Sequence, residues 1–122
     1  MIILLILFII ISGISKAIGD ICSESSFYKS KLVTIFKLNS KYWQKSESSV
    51  NKWKNFDKSK GEAFFGSSTV FVFLTDGWHL MDIIKILSYI FIGLLSKTIL
   101  IATLSLVVSL ILFELIYSYL KN

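Results

Sequence analysis

Apolar positions fall into long blocks set on either side of one extended polar stretch. Residues 2–11, IILLILFIII, form an unbroken apolar run that Ser12, Gly13, Ile14 and Ser15 carry on to Lys16. This pattern predicts a first helix over residues 1–19, close to the roughly 17–25 residues that a membrane span needs. At the other end, residues 98–120 carry Glu114 as their only charge. The chain is already apolar from Ile83, and residues 83–120 are too many for one span at about 1.5 Å of rise per residue. Ser96 and Lys97 therefore mark a tight hairpin over residues 95–98, with one helix on each side.

Residues 63–95 are assigned to the second membrane segment, with its helix over residues 69–95 and Ser67 or Ser68 as N-cap. Within it, residues 64–75 are apolar and aromatic for only about a dozen positions, a length that by itself suits a re-entrant or interfacial segment or half a span. Its valines and phenylalanines favour a strand, but an open strand in lipid would strand its backbone polar groups, so helix is preferred. The fold class that follows is all-α: a small polytopic membrane protein forming a single membrane domain. It has three transmembrane helices, a polar loop over residues 20–62, and no apparent internal repeat.

Composition reinforces this picture. Of the 122 residues 54% are hydrophobic, and proline is absent, so no residue type forces a break in a long helix. All thirteen basic residues are lysines. Without the guanidinium fork, nucleic-acid readout loses its preferred tool, and nucleic acid is set aside as a partner. The single Cys22 cannot form an internal disulfide or a cysteine zinc site. The N-terminal run also admits a secretory signal peptide, with Ser15-Lys16-Ala17 as the cleavage site. No basic residue precedes the run, and Asp20 and Ile21 before Cys22 do not suit a lipoprotein signal, so an uncleaved anchor is the reading adopted.

Nine lysines lie between Lys29 and Lys60, interleaved with Phe36, Tyr42, Trp43, Trp53 and Phe56. Tryptophan and tyrosine among lysines suit the headgroup layer of an anionic bilayer. Residues 32–38 read as a short interfacial helix and residues 39–49 as turn and loop. Trp43, Lys52, Trp53, Lys54 and Trp78 are the candidate binding residues, for lipid or for a protein partner. Lysines that flank membrane segments stay inside. The loop is thus expected in the cytoplasm and the N-terminus outside, in an inner or plasma membrane, with Lys97 outside and Lys121 inside.

Candidate chemistry centres on Asp76 and His79, three apart and followed by Asp82. A histidine between carboxylates suits a divalent metal such as zinc, manganese or iron, with Asp20, Glu62 or Glu114 available to complete the ligand set. It equally suits a carboxylate-oriented general base, for which Ser67, Ser68, Thr69 or Thr75 would be the nucleophile. The candidate catalytic and metal-binding residues are thus Asp20, Asp76 and His79; a resident cofactor is not otherwise expected. The structural alternative is simpler: Asp76 before Gly77 is an N-cap, and Trp78 and His79 are interfacial. On this view Lys16–Asp20 and Asp82–Lys85 are ion pairs at helical spacing.

The motifs KAIGD at residues 16–20, NKWK at 51–54 and TDGWH at 75–79 occur in this order. In this the chain resembles a family of small integral membrane proteins from bacterial and phage genomes, sharing a KAxxD-like helix end, a W–K segment and a TDxWH-like motif. The resemblance covers most of residues 13–82 and not the last helix. It implies a membrane location and draws attention to Lys16, Asp20, Trp53, Lys54, Asp76, Trp78 and His79, but implies no activity. Three functions follow as expectations: an assembly or partner-interaction role; a membrane-embedded, metal-dependent hydrolase using Asp20, Asp76 and His79; and a holin-like pore former. The lipid bilayer, a second copy and a membrane protein are the expected partners.

Overall fold

A computed structural model describes residues 1–122. The chain is all-helical, and three helices are long and apolar enough to cross a membrane: α1 (Ile2–Ser23), α5 (Gly77–Leu95) and α6 (Ile99–Lys121). Between α1 and α5 lie three short helices, α2 (Lys31–Phe36), α3 (Ser40–Trp43) and α4 (Lys45–Ser48), with several 3₁₀ turns. There is no strand, only an isolated antiparallel bridge between Trp53 and Glu62.

The central helix is α1, which packs against both α5 and α6, while those two make little contact with each other. Small residues on α1 allow this. A Cβ on Gly13 would stand 3.2 Å from the Ser109 carbonyl oxygen and 3.2 Å from Leu112 Cβ, so α6 approaches the α1 backbone closely there. Beside it, in the same contact, the buried Ser12 and Ser109 hydroxyls share a hydrogen bond of 2.6 Å. On the other flank Phe8 stacks on Phe91 at 4.7 Å between ring centroids, and Gly19 faces Met81. These pairings make α5 antiparallel and α6 parallel to α1. Hydroxyls within the helices return to their own backbone, as Ser15 does to the Ile11 carbonyl at 2.7 Å and Ser88 to that of Ile84 at 2.8 Å. Such polar groups remain satisfied in apolar surroundings.

The hairpin falls where expected. Ser96, Lys97 and Thr98 join α5 to α6, and the Thr98 hydroxyl caps α6 by accepting from the Ile101 N–H at 3.2 Å. The opposite end of the bundle carries a cap built from residues 24–76. Its core joins Ile21, Cys22 and Leu120 from the long helices to Phe27 and Leu32, with Trp43 and Trp78 packed against it. Helix α1 runs on to Ser23 rather than stopping at residue 19, because Ile21 and Cys22 are fully buried in this core. The interfacial helix expected over residues 32–38 is α2, capped by Ser30 and stopped by Lys37 in the left-handed region at φ 51°. Residues 39–49 are more ordered than turn and loop, since Asn39 and Gln44 cap the single turns α3 and α4.

One boundary is corrected. The helix expected over residues 69–95 begins only at Gly77, and neither Ser67 nor Ser68 caps it. Gly66 takes a left-handed φ of 75°, and the Glu62 carboxylate accepts from the Gly66 N–H at 3.0 Å and the Ser68 N–H at 3.1 Å. Those bonds fix a turn where a helix would have started. Residues 64–75 instead form turns and a 3₁₀ segment (Val72–Leu74) beside the first turns of α5. Phe65, 91% exposed, and Val70, 73% exposed, project from it.

Candidate functional site

The TDGWH motif forms the corner at which the cap hands over to α5. Asp76 is extended and is the N-cap, its Oδ1 accepting from the His79 N–H at 2.8 Å. The same carboxylate holds the His79 ring, with Nδ1 at 2.9 Å from Oδ1 and 2.8 Å from Oδ2. The Thr75 hydroxyl donates to the Val72 carbonyl at 2.7 Å and lies 3.2 Å from Asp76 Oδ2. Asp76 is 1% exposed, so a buried charge is answered on both oxygens. Gly77 is required by packing: a Cβ there would stand 2.2 Å from the Trp43 ring. From the cap, the Asn51 side-chain amide donates to the Thr75 carbonyl at 2.9 Å and to that of Lys41 at 2.8 Å.

His79 stacks against Trp78 at 3.6 Å between centroids, and Lys45 lies over the far indole, its Nζ 4.5 Å from the ring centre. The buried Trp78 Nε1 has no hydrogen-bond partner. Tyr42, on α3, has its phenol pushed above the ordinary range by burial, and secondarily by the Asp76 charge.

With Nδ1 held by a carboxylate, Nε2 is the ring nitrogen left without a protein partner. Around it lies a shallow groove of about 280 Å³ shared by Thr69, Phe73, Asp82 and Ile86. The other residues singled out by the sequence are bonded elsewhere. Asp20 pairs with Lys16 at 2.7 Å and Asp82 with Lys85 at 2.6 Å, the two helical ion pairs anticipated from spacing. Ser67 donates to the Lys52 carbonyl at 2.7 Å and Ser68 to Glu62. No serine or threonine hydroxyl bonds to His79, and no three His, Cys, Asp or Glu side chains converge as a metal-ligand group. Asp76 and His79 are brought together; Asp20, Glu62 and Glu114 do not join them.

The cap's charge is arranged differently. None of the nine lysines from Lys29 to Lys60 forms a salt bridge. Several rest on aromatic rings instead: Lys31 on Tyr119 at 4.8 Å, and Lys52 and Lys58 on Trp53 at 5.6 and 5.8 Å. The cap carboxylates are engaged by other donors. Glu47 accepts from the Tyr28 and Ser40 hydroxyls, which hold it below the usual carboxylate range and raise Tyr28 in turn. Glu62 is lowered by the Ser68 hydroxyl and by the N–H groups of Gly66 and Ser68. Glu24 is lowered first by the Tyr117 hydroxyl, with Lys121 at 3.0 Å. Acid and base counts alone gave no sign of this, because they do not say which charges meet.

Of the candidate binding residues, Trp43 and Trp78 serve the cap core, whereas Lys54 is exposed and Lys52 and Trp53 are half-buried. Sequence reading also missed a cavity of about 530 Å³ on the cap, lined by Asn39, Lys41, Tyr42, Glu47, Asn51 and Phe56 among others. Compared with family models, with curated proteins and with solved structures, the chain matches none. The resemblance carried by its motifs therefore rests on the sequence alone.

Proposed function

We propose that this is a small multi-pass membrane protein with an interaction role, whose working surface is the basic, aromatic cap. The observation that carries the reading is the set of nine cap lysines without an ion pair, set beside carboxylates already occupied by hydroxyls and N–H groups. Their charge is directed outward. The chemistry that would answer it is an anionic headgroup layer, where each nearby lysine contributes about 1 kcal/mol. Exposed Phe65 and Val70 on the adjoining segment suit shallow insertion at the same interface. The lysine excess supports an orientation with the cap on the cytoplasmic side of a cell membrane and Met1 and Lys97 outside.

Two measurements test this reading. Lipids retained on the purified protein should be enriched in anionic over zwitterionic species, and K52Q/K54Q/K58Q/K60Q should lose that enrichment; equal retention would refute it. For orientation, an impermeant maleimide should label K97C on intact cells and S59C only after permeabilisation. The opposite pattern would invert the topology.

A second reading has the Asp76–His79 pair in its favour. An imidazole oriented by a buried carboxylate is a competent general base, and its groove opens beside α5 at the membrane end of the cap. With no hydroxyl bonded to His79, the nucleophile would be water or a group on the substrate, as in a hydrolase of lipid-linked compounds. Hydrolysis of such a substrate abolished by H79Q, with the fold retained, would support it. Activity unchanged by H79Q would remove it.

A further inference from the structure

Between the carboxylates of Glu62 and Asp76 the chain carries no charge: residues 63–75 read AFFGSSTVFVFLT. Their backbone is turn and 3₁₀ rather than α-helix, yet its polar groups are answered from within the chain. The N–H groups of Gly66 and Ser68 donate to Glu62. Those of Ser67, Thr69, Phe71, Leu74 and Thr75 donate to carbonyls of the same segment. The hydroxyls are spent in the same way: Ser67 on the Lys52 carbonyl, Ser68 on Glu62, Thr69 on the Gly66 carbonyl and Thr75 on that of Val72. What projects outward is apolar, with Phe65, Val70 and Leu74 all exposed.

The level of this segment follows from α5. Met1, Leu95, Lys97 and Ile101 line one cavity at the hairpin end, so the three long helices share a level there. The 19 residues of α5 extend from that level by roughly 28 Å, against a hydrocarbon core about 30 Å thick. Gly77 therefore lies at the opposite boundary, with Ile83 and Ile86 roughly 10 Å inside it at the helical rise per residue. Thr69, Val70, Val72 and Phe73 share a groove with those two isoleucines. The segment thus leaves the cap after Ser67, descends beside α5, and returns at Thr75, whose carbonyl accepts from Asn51 at 2.9 Å.

We propose that residues 64–74 are a re-entrant segment embedded in the cap-side leaflet, with Phe65, Val70 and Leu74 against lipid acyl chains. Hydrocarbon offers no hydrogen bonds, so irregular backbone survives there only with its polar groups answered by protein. In water those bonds would be dispensable, and the exposed apolar side chains would be a liability. The flanks also fit a lipid occupant: Lys58 and Lys60 precede the segment, and Trp53 is bridged to Glu62 at its entry, as suits the headgroup layer. Glu62 is the positioning residue, because it holds the N–H groups on either side of Ser67 and so fixes the left-handed turn at Gly66. The groove beside His79 then opens on acyl chains, and a molecule reaching Nε2 arrives from within the bilayer. This deepens the proposed function and rests on α5 crossing a membrane, but not on which headgroups the lysines select.

The test is spin-label accessibility of the full chain in anionic-lipid nanodiscs, with nitroxides at F65C, V70C, S59C or I90C on a C22A background. Labels at F65C and V70C should collide preferentially with dissolved oxygen, as at I90C on the exposed face of α5. The label at S59C should favour a water-soluble nickel chelate. V70C matching S59C would put the segment in water and overturn the proposal; V70C shielded from both reagents would put a protein there and overturn it equally. E62A should raise nickel collisions at V70C severalfold without changing I90C, and E62Q should recover part of that loss of shielding. A V70C label unmoved by E62A would overturn the role given to Glu62. Retained anionic lipid with V70C in water would leave the cap reading standing and this one fallen; V70C in lipid without that enrichment would do the reverse.

Discussion

Asp76 and the cap lysines are neighbours in the fold, yet their charges are handled in opposite ways. Asp76 is sealed off, with both oxygens spent on His79, its own helix N-terminus and Thr75. The lysines stand on aromatic rings or in the open, and no carboxylate neutralises them. A polar group bonded on every side builds structure; one left unanswered is available to a partner. The two regions should therefore fail differently: changes at the Asp76 corner should cost stability, and changes in the lysines should cost binding.

The largest effect is expected where the corner is tightest. Gly77→Val would drive a side chain into the Trp43 ring, an overpacking cost of about 3 kcal/mol, read as a lowered unfolding midpoint in detergent. Asp76→Ala removes the cap and leaves Thr75 and the His79 ring without their shared partner. Its expected cost is about 2 kcal/mol, and Asp76→Asn should recover part of it by keeping the cap. If Asp76→Ala unfolds at the wild-type midpoint, the corner is not the structural joint described here.

The lysine changes should show the converse pattern. K52Q/K54Q/K58Q/K60Q should leave the unfolding midpoint within about 0.5 kcal/mol of the parent, as for surface substitutions generally. Its affinity for anionic bilayers should fall. A large stability loss would mean that the lysines are bonded inward after all, and the contrast would collapse.

The smallest effect concerns acid. Glu24, Glu47 and Glu62 are held below their ordinary range by hydroxyl and N–H donors. A carboxylate lowered in the folded state stabilises the fold above its unfolded value, about 4.3. That contribution is lost as pH falls through the lower folded value. Cap stability should thus be flat near neutrality and decline below about pH 4.3, and Glu47→Gln should make the decline shallower. A cap that is equally stable across that range would contradict the bonding described for these three residues.

The long helices were legible because their apolar runs are long and contain no proline, and the hairpin because Ser96 and Lys97 interrupt one of them. Spacing alone exposed the Lys16–Asp20 and Asp82–Lys85 pairs, since residues three or four apart on a helix share a face. Asp76 was readable as a cap from its position before Gly77. Residues 64–75 were misassigned to a helix because composition cannot show that Glu62 reaches forward to hold two N–H groups, or that Gly66 turns left-handed. The free lysines were likewise hidden, for which charges meet depends on tertiary contacts between segments far apart in the chain.

The claim that the cap faces an anionic surface is tested most directly by amide hydrogen exchange, measured in matched nanodiscs of zwitterionic and anionic lipid. The account predicts slower exchange across residues 52–72 in the anionic discs, reversed by added salt, with the Asp76–His79 corner equally protected in both. Identical exchange across residues 52–72 in the two lipids would contradict it.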